Sequence, residues 1–188
     1  MPFGIGFFAT AGVSAPAGSF DLLETTVLSS AQASVEFINL GTKYAADYQH
    51  LQIRAATRTD SGGAADVLTM TFNGIGGTSY ASHLLFGNGS TVVSSAEVTS
   101  GAFLQWSRST GAGSAANMFS AAVADILDPF ETTKNTTVRA LSGQPDRIEL
   151  YSGVFLNTAA VSSITLDQRF GSNFITGSRF SLYGIRKG

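Results

Sequence analysis

The stretch Val67-Leu-Thr-Met-Thr-Phe-Asn-Gly74 sets the reading of this chain. Leu68, Met70 and Phe72 alternate with Thr69 and Thr71, so a strand here turns an apolar face inward and its hydroxyls outward. Asn73-Gly74 follows at once, a dipeptide that favours tight turns because both residues tolerate positive φ. The expected returning strand is 80–86, which meets a second Asn-Gly at Asn88-Gly89. The same alternation runs through 50–58, with Leu51, Ile53 and Ala55 on one face and Gln52, Arg54 and Arg58 on the other.

Further strand-like runs lie at 102–106, 119–127, 138–142, 148–156, 164–166 and 180–185. In 115–127 an alanine-rich composition competes with strand signals. Phe119, Ala121 and Val123 fit a period of two, and Pro129 ends the run, so it reads as a strand. Short strands separated by turn clusters about every 8–15 residues predict an all-β protein. The expected architecture is a β-sandwich or jelly roll of about ten antiparallel strands with an extended N-terminal arm.

Composition narrows the function classes. Only 13% of the 188 residues are charged and the net charge is −2, so solubility rests largely on Ser, Thr, Asn and Gln. No basic stripe exists of the kind that nucleic-acid binding requires. The absence of cysteine excludes disulfides, thiolate zinc sites and thiol nucleophiles. Fourteen Phe and 21 Gly suit a packed β protein with many turns.

The opening MPFGIGFFATAG is apolar, and the first basic residue is Lys43. A secretory signal carries a positive start, and a membrane span needs about 20 apolar residues, whereas Ser14 and Pro16 interrupt this run. It therefore reads as a retained docking arm, with Phe3, Ile5, Phe7 and Phe8 as anchors and no membrane insertion. Residues 1–19 form the arm and its small-residue linker, and residues 20–188 the sandwich domain.

No motif assembles a catalytic site. G-x-S-x-G is missing, and Gly74-Ile-Gly76-Gly77 lacks the helix and lysine of a phosphate loop. His50 and His83 carry no metal-ligand spacing, and Asp125, Asp128 and Glu131 fit a turn before Pro129 better than a calcium loop. Asp60, Asp66, Glu97, Glu149 and Asp167 offer no favoured pair for glycosidase chemistry. No cofactor, metal or catalytic residue is therefore expected. Tyr80, Trp106 and Tyr151 would stack on sugar rings if exposed, whereas aromatics in such strands more often belong to a core or subunit interface.

Residues 135–143 (NTTVRALSG), 156–166 (LNTAAVSSITL) and 173–186 (NFITGSRFSLYGIR), with FDLLETTVL at 20–28 and YQHLQIR at 48–54, carry a resemblance. Over about residues 20–188 the chain resembles small virion structural proteins of tailed bacteriophages, a tail-fibre or decoration type common in marine and cyanobacterial phages. The resemblance implies a non-enzymatic protein on the exterior of tail or capsid, with other virion proteins as partners. Sandwiches of this composition often trimerise, so a homo-oligomer is expected, a trimer among its forms. The leading expectation is a short tail fibre whose arm docks on tail or baseplate and whose loops face a host surface glycan. The alternative is a decoration, or cement, protein bridging subunits of the major capsid protein. Deleting residues 2–18 should leave the domain folded by circular dichroism yet abolish its incorporation into particles.

Overall fold

The computed structural model describes residues 19–187, apart from the side chains of 97–100. Among the described residues the chain forms β1 (Phe20–Val27), β2 (Ser34–Ile38), the short helix α1 (Leu40–Tyr44) and β3 (Tyr48–Thr57). It continues through β4 (Ala65–Phe72), β5 (Tyr80–Gly87), β6 (Val92–Gly101), β7 (Leu104–Thr110) and β8 (Ser120–Leu127). The last strands are β9 (Thr136–Gln144), β10 (Arg147–Phe155), β11 (Ser163–Gln168) and β12 (Arg179–Arg186).

The strands pair antiparallel into an eight-stranded sheet, β1-β12-β3-β8-β9-β10-β5-β6, and a four-stranded sheet, β2-β11-β4-β7. From β2 to β5 each successive strand changes sheet, and the chain changes again at β7, β8, β11 and β12. This alternation is jelly-roll connectivity. Between β3 and β5 the large sheet holds the meander β8-β9-β10. The fold is thus the expected β-sandwich, with β1, β2 and β6 added to the strands read from sequence.

Period two places the core residues. Leu51 and Ile53 on β3, Leu68, Met70 and Phe72 on β4, and Phe180 and Leu182 on β12 are all fully buried between the sheets. The predicted inward faces of 50–55 and 67–72 are therefore found. Val67 and Thr69 are buried as well and Thr71 is partly buried, so much of the second face of β4 is also covered.

One local reading needs correction. Asn73 and Gly74 do turn, with φ of 56° and 64°, but β4 and β5 are not a hairpin. β4 pairs with β11 and β7, while β5 pairs with β10 and β6. The turn carries the chain across to the other sheet, and Tyr80 fastens the corner. Its hydroxyl accepts the Phe72 N–H at 2.8 Å and lies 3.0 Å from the Ile75 carbonyl, to which it donates. The Asn73 carboxamide oxygen accepts the N–H groups of Ser162 at 2.7 Å and Ser163 at 3.2 Å, tying the turn to the start of β11.

β8 is the strand read from sequence, with Ser120, Ala124 and Ile126 facing inward and Ala121 and Val123 outward. Ser120 fixes that parity by donating its hydroxyl to the Thr57 carbonyl at 3.1 Å. Phe119 lies before the strand. Arg58 follows β3 and is buried. Its guanidinium donates to the carbonyls of Ser114, Ala115 and Met118 at 2.9–3.0 Å, so it clamps the loop entering β8.

Removing the Tyr80 hydroxyl would leave the buried Phe72 N–H without its partner, a loss of about 1–3 kcal/mol. Tyr80→Phe should therefore unfold at lower denaturant with an unchanged slope, measured by tryptophan fluorescence of Trp106.

Candidate interaction surface

The outward side chains of the large sheet lie in rows fixed by strand register. Val123 on β8 pairs with Leu141 on β9, Leu141 with Leu150 on β10, and Leu150 with Leu85 on β5. The next row runs Ala121, Gly143, Ile148, Gly87 and Val92. These nine positions carry no ionisable group. Leu141 and Leu150 are each 44% exposed and Ile148 is 57% exposed. An antiparallel sheet usually turns polar residues to water on its free face, so an apolar stripe there marks a contact surface.

Gly143 and Gly87 have no side chains, and hollows form on either side of Ile148. One hollow, of about 430 Å³, is lined by Arg54, Val123, Leu141 and Ile148 among others. The other, of about 290 Å³, is lined by Leu85, Val92, Leu141, Ile148 and Leu150 among others. Both are shallow and their walls are almost wholly apolar. Such a surface gains by excluding water against another apolar surface, at about 25 cal/mol per Å² removed from solvent.

Polar groups border the stripe. At its β3 end Arg54 turns its guanidinium toward Tyr183, 4.5 Å from the ring centroid, and donates to the Gln52 side chain at 2.8 Å. The row beside it runs Gln52, Asp125, Arg139, Ser152 and His83. Asp125 accepts from Gln52 at 2.7 Å and from Arg139 at 2.8 Å. Burial pushes the Asp125 carboxyl up, but those two donors outweigh it and hold the group below its ordinary range.

The residues singled out from sequence are not brought together. Tyr80 and Trp106 are fully buried and Tyr151 nearly so, and none turns a ring face to solvent for a sugar. Tyr80 stacks on Phe155 with centroids 5.1 Å apart, and the Trp106 indole donates to the Thr69 carbonyl at 3.2 Å. These three rings fill the space between the sheets, which corrects their reading as stacking platforms. Phe3, Ile5, Phe7 and Phe8 lie outside the described residues.

His50 accepts the Asp128 N–H on Nδ1 at 3.0 Å, and His83 is exposed on β5. Asp128 sits at φ 49° before Pro129 and accepts from Lys134 at 2.5 Å and Gln49 at 3.2 Å, a turn-holding role. Among the described residues no three His, Cys, Asp or Glu side chains gather as a metal site. The stripe itself went unread in the sequence, although Leu141, Ile148 and Leu150 stood at apolar positions within the predicted strands.

Among the described residues, three carboxyls are held below their ordinary range. Asp60 is lowered by the side-chain and backbone N–H groups of Asn173, and Asp128 by the donors Lys134 and Gln49. Asp125 is the third. A depressed folded pKa contributes stability above the unfolded value of about 3.9 and loses it as pH falls through the folded value. The denaturation midpoint should therefore be flat near neutrality and fall below about pH 4, with a shallower acid limb in Asp60→Asn. Equal limbs in the two proteins would show that Asp60 contributes nothing.

No family model, curated protein or solved structure matches the chain.

Proposed function

We propose that this chain is a non-enzymatic structural protein on the exterior of a bacteriophage particle, held there by protein–protein contact. The observation that carries the reading is the charge-free apolar stripe on the outer face of the large sheet. The sandwich already has its own core between the sheets, so this second apolar surface is surplus to folding and suits assembly. The resemblance of residues 20–188 to phage virion proteins supplies the setting.

In the leading form the chain is a short tail-fibre appendage. Phe3, Ile5, Phe7 and Phe8 anchor it to tail or baseplate, and its loops face the host, a surface glycan being the receptor class. Burial of Tyr80, Trp106 and Tyr151 favours a second form, capsid decoration, because it takes from a glycan receptor the three rings that would stack on it. A decoration protein needs only broad contact with shell subunits.

Quantitative mass spectrometry of purified particles, with labelled density for the chain, separates the two. A few tens of copies or fewer on the tail supports the appendage, and hundreds of copies on the shell support decoration. A chain missing from the particle overturns both.

A further inference from the structure

We propose that the surface covering the apolar stripe is the same stripe on another copy of this chain. This rests on the reading of the face as a protein–protein contact and names the partner. Three features of the face support it.

The first is shape. In its row Ile148 stands between Gly143 and Gly87, so a protruding side chain is flanked by a hollow on each side. A face built as a knob between two hollows is complementary to itself. When a copy is laid against it, each Ile148 enters a hollow beside the other.

The second is charge. Symmetric association brings residues near the axis against their own copies, so a charge there would meet its like. The nine positions of the stripe hold no ionisable group. Beside them Asp125 and the exposed Arg139 stand side by side with opposite sign, so that part of the rim can meet its own copy without repulsion, and Arg54 lies at the β3 edge of the stripe, away from its centre.

The third is size. The stripe spans five strands spaced about 4.8 Å apart, about 24 Å, and forms the centre of an outer face that over all eight strands reaches about 38 by 25 Å, roughly 950 Å². A stable interface takes about 800 Å² from each partner, with an apolar centre and a polar rim. The face has the required extent, and its polar groups lie where a rim would be.

The test is sedimentation velocity on the full chain at about 10–100 μM, a range that detects contacts of micromolar Kd. The expected mass is twice that of the 19.5 kDa chain. Leu141→Asp and Ile148→Asp should each weaken association at least tenfold. Both side chains point outward, so circular dichroism melting should stay within a few degrees of the parent.

Gly143→Val guards against a folding artefact. A Cβ at Gly143 meets nothing within 4 Å in the monomer, yet it begins to fill the hollow that Ile148 of a second copy needs. This variant should remain folded and lose association. A chain that is monomeric at 100 μM overturns the proposal. So does an oligomer whose mass is unmoved by all three substitutions, including one dispersed only by deleting residues 2–18. A monomer in solution that is still found on particles would leave the structural role standing and remove only the self-association.

Discussion

Tyr151 and Phe155 point between the sheets, and that choice sets the parity of the meander β8-β9-β10. Strand side chains alternate, so Ile148 and Leu150 must then face out. Antiparallel pairing carries the parity sideways without loss. Leu150 is in register with Leu141 and Leu85, and Leu141 with Val123, so all four share one face. A shift of one residue in any of these strands would turn its whole inner set outward.

The choice has a cost, visible at Glu149, which the same parity places inside. Its carboxylate accepts the Tyr151 hydroxyl at 2.7 Å and has Arg147 at 3.6 Å and Arg108 at 3.7 Å. A buried carboxylate without partners would cost several kcal/mol, and these groups offset part of that. Reversing β10 alone would hydrate Glu149 and bury Ile148 and Leu150, at about 1.5–3 kcal/mol each. It would also expose Tyr151 and Phe155, which are larger, and Phe155 would leave its contacts with Phe72 and Tyr80. The aromatic pair decides the parity, with the ion pairs making its consequence tolerable.

This explains what could and could not be read from the chain. Leu51, Ile53 and Ala55, and Leu68, Met70 and Phe72, each alternate with polar neighbours, so their inward faces were legible locally. In β10 every second residue of either parity includes large apolar groups, Ile148 and Leu150 on one side and Tyr151 and Phe155 on the other. Periodicity has no preference there, and only the facing sheet resolves it. Asn73-Gly74 was legible as a turn but not as a crossing between sheets, because β4 pairs with β11, which follows it by some ninety residues. The burial of Arg58 is not legible for a related reason: its alternation with Arg54 is real, but its partners are carbonyls of residues 114–118.

The same topology accounts for where the protein keeps its few charges. The pairs Glu24–Lys43, Asp21–Arg186, Asp125–Arg139 and Asp128–Lys134 lie toward the end of the large sheet where β1 begins and β8 ends, while Arg147, beside Asp146 and Glu149, lies at the other end. Exposed pairs of this kind contribute about 0–1 kcal/mol each, so stability is a weak reason for the clustering. Hydration is a better one. With 13% charged residues the chain cannot wet its whole surface, and even beside Asp146 and Arg147 the outward positions Ala121, Ile148, Leu85 and Val92 hold no charge. A jelly roll with a single strand between β3 and β5 would have a narrower sheet and much less of this face. The two further strands of the meander supply Leu141, Ile148 and Leu150, and with them the width that a second surface needs.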